Sequence, residues 1–138
     1  MPHDNHKYLA MRRIEQSSEC IQSADAALEI SLKMSINRSY YGILHSMRAV
    51  LALDKFDSKK HQGIISVFRE RYIKSGKFAV HFSDVIGSAF QIRNRCDYDD
   101  FYVAAESDAR RQLENAKEFL SAVTEFISNA VSACADPD

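Results

Sequence analysis

The chain has 138 residues, of which 46% are apolar and 27% charged, with a formal net charge of -1. This length suits one domain, able to bury roughly two-thirds of the surface its unfolded form exposes, and the composition is too apolar for intrinsic disorder. A near-neutral total excludes a protein basic from end to end, so any nucleic-acid contact has to come from a local patch.

Cys20, Cys96 and Cys134 are odd in number and widely spaced, with no CxxC pair or zinc-ligand spacing, which predicts free thiols in a reducing cytoplasm. The start, Met1 to His6, is polar and lacks the apolar stretch of a signal peptide. No apolar run is long enough to predict a transmembrane helix.

Proline occurs only at Pro2 and Pro137, so the interior is free of the strongest helix breaker. A first helix is predicted over about residues 7–28, with Ala10, Ile14, Ser17, Ile21, Ala24 and Leu28 forming one stripe. A second, over about 34–53, repeats the spacing through Ile36, Tyr40, Ile43, Met47 and Val50 or Leu51, with Ser35 or Asn37 available near its start. Residues 54–60 read as a polar loop. A third helix over about 61–72 aligns Ile64, Ile65, Phe68 and Tyr72, and Gly76 is the expected breaker after it. The fourth, about 79–95, carries Phe82, Ile86 and Ala89, and the next position on that stripe is Arg93. The last, about 103–133, alternates Leu113, Ala116, Leu120, Val123, Ile127, Ala130 and Cys134 like a coiled-coil seam. No internal repeat or strand alternation is visible, so the expected fold is all-α: one domain over residues 1–138, an up-and-down antiparallel bundle of four to five helices.

Charge is uneven. Residues 59–77 hold six basic side chains, Lys59, Lys60, Arg69, Arg71, Lys74 and Lys77, against Glu70, and Arg93 and Arg95 are candidates to extend that patch. Residues 97–138 hold ten acids against Arg110, Arg111 and Lys117. The basic segment reads either as a solvated face or as a surface for phosphates, and periodicity does not choose between them.

The stretch Ser35-Ile36-Asn37-Arg38-Ser39-Tyr40-Tyr41-Gly42-Ile43-Leu44-His45-Ser46 resembles the second-helix signature of a prokaryotic HEPN subfamily, roughly A-x-x-R-A-Y-Y-A-x-F-H-A. Lys60-His61-Gln62-Gly63 resembles its K-x-H-x-G loop. Phe90-Gln91-Ile92-Arg93-Asn94-Arg95-Cys96-Asp97-Tyr98-Asp99 resembles its F-x-x-R-x-x-x-D-Y-D element. The resemblance spans about residues 7–128 and departs at Leu44, where an aromatic is common.

This resemblance implies a helical bundle that forms a homodimer, with polar motif residues of both protomers meeting in a cleft. Arg38, Tyr41, His45, His61 and Arg95 are the candidate binding residues there. Many HEPN proteins are metal-independent endoribonucleases carrying an arginine followed four to six residues later by a histidine. Arg93 matches the arginine, but the fifth residue after it is Tyr98, and no histidine follows in the chain. A tyrosine, with a pKa of about 10, is a poor proton shuttle at pH 7. Two roles are open for Arg93: a helical ion pair with Asp97 four residues on, or a bidentate grip on phosphate in the cleft.

The other candidates also have two readings each. His45 shares a face of the second helix with Tyr41 and Arg48, as a cleft residue or as a histidine bonded within a helix interface, while Tyr40 reads as core. His61 and Gly63 at a helix start serve either an anion or a structural cap. His3, Asp4 and His6 could ligate a stray metal only from a terminus, and Asp97, Asp99 and Asp100 lack the glycine and distal glutamate of a calcium loop. No metal or cofactor is expected.

Two functions follow. In the first, the protein handles RNA or nucleotides as partner of a minimal nucleotidyltransferase in a toxin-antitoxin-like pair, with Tyr98 or Tyr102 as the modified side chain. In the second, it is an endoribonuclease with an altered site, using Arg93 for the phosphorane and Asp97, Tyr98 or His45 for proton transfer.

Overall fold

The structure is a computed structural model that describes residues 5–134, with side chains described through residue 133. Five α-helices follow one another: α1 (Asn5–Ala27), α2 (Leu32–Leu53), α3 (His61–Phe68), α4 (His81–Tyr98) and α5 (Glu106–Cys134). The described residues contain no strand. None of these helices is long and apolar enough to cross a membrane.

α1 and α2 form an antiparallel hairpin whose register is fixed by small polar side chains. Ser35 Oγ donates to the Ala24 carbonyl at 2.8 Å, Ser17 Oγ to the Gly42 carbonyl at 2.7 Å, and Ser17 and Ser46 hydroxyls lie 2.9 Å apart. These three buried hydroxyls tolerate the interior because each finds a partner, whereas that of Ser39, also buried, has none among the described residues. A Cβ at Gly42 would lie 2.9 Å from Ile21 Cγ1, so glycine is what lets the helices approach this closely. α4 and α5 also run antiparallel, with His81 opposite Glu118 and Gln112 bonded to Ser88 at 2.9 Å.

Packing moved several boundaries. The N-cap of α2 is Ser31, which accepts from the Met34 N–H at 3.2 Å, and neither Ser35 nor Asn37 serves there. Ser35 is instead fully buried against α1. α2 ends in a Schellman motif, with the Phe56 N–H on the Leu51 carbonyl and the Lys55 N–H on that of Ala52. Lys55 takes the left-handed position at φ 60°, where a glycine would be unstrained. α3 does not run as an α-helix to Tyr72 but passes at Arg69–Ile73 into a π-helical turn, and Gly76, at φ 85°, ends the segment.

The core lies between α2 and α5. Tyr40, Ile43, Met47 and Leu51 of α2 meet Leu113, Ala116, Phe119 and Val123 of α5, all nearly or wholly excluded from water. At one end Phe68, Tyr72, Phe78, Phe82, Phe119 and Phe126 form an aromatic cluster, with Phe68 and Phe119 edge to face at 5.6 Å. The stripe on α5 is wider than a two-position seam: Phe119 is fully buried, while Leu120 is only partly so. That breadth is expected of a helix packing on several neighbours rather than on one.

Candidate functional site

One face of α2 is left half-covered by the other helices, and it carries Arg38, Tyr41, His45 and Arg48 at successive helical turns. α4 lays Arg93 across it, and the first residue of α3 brings His61 to the same place. The Arg93 guanidinium carbon lies 5.1 Å from the centre of the Tyr40 ring and 5.6 Å from that of Tyr41, and Nη2 donates to the Tyr41 hydroxyl at 3.3 Å. Arg93 also lies 2.8 Å, through Nε, from Asp97 Oδ2. That N–H is not directed at the carboxylate, so the contact is an ion pair without hydrogen-bond geometry. The helical pair and a place against the Tyr40 and Tyr41 rings therefore coexist.

Arg38 adds a second cation. Its guanidinium carbon sits 5.1 Å from the centre of the Tyr41 ring, and Nε and Nη2 both donate to Asn37 Oδ1. The Tyr40 hydroxyl bonds His61 Nδ1 at 2.8 Å. Burial pushes the Tyr40 phenol up to about 12, so it remains a donor and leaves His61 Nδ1 as acceptor. Burial first, and then the charges of Arg93 and Arg48, hold the His61 imidazole below its ordinary range. His45 is pushed down to about 4 by burial and by Arg48, Arg13, Arg38 and His61, and its Nδ1 is buried without a partner. Both imidazoles are thus neutral at pH 7.

Behind this face, Arg13 of α1 is only 6% exposed. It reaches Asp57 Oδ2 at 3.0 Å, while Arg48 Nη2 meets the same oxygen at 3.0 Å. Burial alone would raise the Asp57 carboxyl, but hydrogen bonds from Arg48 and the Ser58 N–H, with the two arginine charges, hold it below its usual range. Arg13 stands three residues after Ala10 and four before Ser17, on the buried stripe, a spacing that could have flagged it. Asp57 is 44 residues away from Arg13 and carried no such signal.

The remaining candidates lie elsewhere. Tyr98 is 76% exposed at the end of α4, away from the Tyr40–Tyr41 pair. Arg95 stacks on Tyr102 at 4.7 Å instead of joining Arg93. The basic segment is largely tied up: Arg71 with Asp54 and the Phe56 ring, Lys74 with Glu70, Lys77 on Tyr72. Asp99 and Asp100 are exposed, and Asp99 accepts the Phe101 N–H at 3.1 Å. Among the described residues no group of three or more His, Cys, Asp or Glu could hold a metal, and His3 and Asp4 lie outside those residues.

Five helices and a half-covered face where two arginines, two tyrosines and neutral imidazoles converge define an all-α domain with a cationic polar face between α2, α3 and α4. The chain belongs to the HEPN domain family, whose family model matches residues 10–126. It is similar to two proteins of Methanocaldococcus jannaschii that each carry the name putative toxin. One is 23% identical over 129 residues, 88% of both chains, and the other 29% identical over 86 residues, 62% of this chain and 64% of the relative. It is also similar to a UPF0332 protein of Thermotoga maritima, 24% identical over 115 residues, 83% of this chain and 87% of the relative.

Proposed function

We propose that this toxin-like HEPN protein handles RNA or nucleotides by gripping phosphate at Arg93 and Arg38, as a homodimer and as the partner of a minimal nucleotidyltransferase. The observation that carries the reading is the placing of both guanidiniums against one ring, Tyr41. Like charges brought this close repel one another, and Asp97 offsets only one of them. A phosphate offsets the second and accepts the fork of donors that a guanidinium presents. The Tyr98 phenol stands free at the end of α4 for a nucleotidyltransferase, which would join it to the α-phosphate of a nucleoside triphosphate and release pyrophosphate. Cys20 and Cys96 are free thiols, in keeping with a cytoplasmic setting.

A second reading, metal-independent ribonuclease action, is favoured by one observation. No histidine follows Arg93 in sequence, yet His61 bonds Tyr40, whose ring Arg93 covers. A neutral imidazole beside an arginine offers proton transfer and phosphorane stabilisation together.

The test is RNA cleavage and binding by the purified protein with chelator present, with Arg93→Ala and Tyr98→Phe alongside. Binding without cleavage, lost in Arg93→Ala, is the expected result for the first reading. Cleavage abolished in Arg93→Ala and kept in Tyr98→Phe selects the second. An Arg93→Ala protein that binds and cleaves as wild type does would overturn both.

A further inference from the structure

Beside the Arg93 face, between the C-terminal half of α2, the 54–60 loop and the start of α3, lies a cavity of about 270 Å³. Its wall includes Arg48, Asp57, Ser58, Lys59 and His61. Pockets for drug-sized ligands run to roughly 300–1,000 Å³, so this smaller space suits a phosphate with part of its sugar better than a whole nucleotide.

The charge balance there is positive. Arg13 and Arg48 both pair with Asp57, and Lys59, exposed on the same wall, has no ion-pair partner among the described residues. Three cations against one carboxylate, shared by Arg13 and Arg48, leave a net charge of two positive units. The loop is also pre-shaped. Ser58 Oγ accepts the Lys60 N–H at 3.1 Å, Asp57 Oδ1 accepts the Ser58 N–H at 2.8 Å, and a Cβ on Gly63 would stand 2.8 Å from Ser58 Oγ. Gly63 thereby lets the loop fold down onto the first turn of α3.

His61 belongs to both places. It is part of the cavity wall, and it bonds Tyr40 and packs edge-on to Tyr41 at 5.7 Å, the two rings on which Arg93 lies. A chain of phosphates crossing the Arg93 face would have the cavity as its next cationic stop.

We infer that the Arg48–Lys59–His61 cavity is a second phosphate site, taking the neighbouring phosphodiester of a single strand whose first phosphate is held at Arg93. The inference rests on the reading of the Arg93 face as a phosphate site, and it names the ligand class more narrowly: an oligonucleotide strand, held at two phosphates, rather than a mononucleotide.

The experiment measures binding of a short single-stranded RNA and of a nucleoside monophosphate over a series of salt concentrations, to wild type, Lys59→Gln, Lys59→Arg and Arg93→Ala. Lys59 is exposed and has no side-chain hydrogen-bond or ion-pair partner among the described residues, so its variants are expected to melt as wild type does. Each phosphate contact on a single strand contributes a slope of about -0.7 in log K against log salt. Lys59→Gln should therefore flatten the RNA slope by about 0.7 and weaken RNA binding about fivefold at 0.1 M salt. The monophosphate should be unaffected, and Lys59→Arg should retain the RNA affinity. Wild-type RNA affinity and slope in Lys59→Gln, or an equal loss for both ligands, would overturn the second site while leaving the Arg93 reading to be judged by Arg93→Ala. Failure of wild type to bind either ligand would overturn both.

Discussion

His45 shows how far a single side chain can be pushed by its neighbours. It lies one turn from Tyr41 and one from Arg48, its Nδ1 is buried without a partner, and Arg48, Arg13, Arg38 and His61 all disfavour its protonation. Unfolded, the imidazole titrates near its ordinary value of about 6.5, whereas in the fold it is pushed down to about 4. The unfolded chain therefore binds the proton more readily. The stability contributed by neutral His45 is complete above pH 6.5 and is lost as pH falls toward 4. His61, also lowered, adds in the same direction, while Asp57, held below its usual range, matters only at lower pH. Thermal melts at pH 7.5 and 5.0 should show a lower Tm at pH 5.0, with a smaller drop in His45→Asn. A wild-type Tm indifferent to this interval would count against the buried, cation-ringed placement of His45.

Among the elements, the α1–α2 hairpin depends on small residues more than on large ones. Ser17, Gly42 and Ser46 bring two helical backbones together around shared hydroxyl bonds. Gly42→Val would force its branches against Ile21 and the Ser17 carbonyl, where even a Cβ lies 2.9 Å from Ile21 Cγ1. Overpacking of this kind costs typically about 1–3 kcal/mol, to be read as a lower urea midpoint. Gly42→Ala should lose less, because better helix propensity offsets part of the crowding. The periodic stripes placed all five helices to within a few residues, including the C-terminal limit of α2 at Leu53. They did not place the Ser31 cap or the π-helical turn at Arg69–Ile73, because caps and inserted turns answer to what the flanking segments pack against.

For the molecule as a whole, the α4–α5 connection carries exposed apolar side chains, Tyr98, Phe101 at 93% exposure and Val103, and Tyr98 is where the proposed pairing with a nucleotidyltransferase is tested. Co-expression with a nucleotidyltransferase partner should add one nucleotide's mass to the intact protein, and Tyr98→Phe should abolish the addition. An unchanged wild-type mass would exclude Tyr98 as acceptor for that partner.

The sequence by itself determined the helical class, the approximate limits of the helices, and the oddity of an arginine on the apolar stripe of α4, because periodicity and the absence of interior proline are local properties. It could name Arg93, Tyr41 and His61 from motifs but could not say that Tyr40 would be the residue joining His61 to Arg93, nor that Arg13 would share Asp57 with Arg48. Those contacts bridge separations such as the 44 residues between Arg13 and Asp57. No local pattern encodes such pairs, and they are chosen only when closing the bundle leaves buried charges and hydroxyls that must find partners.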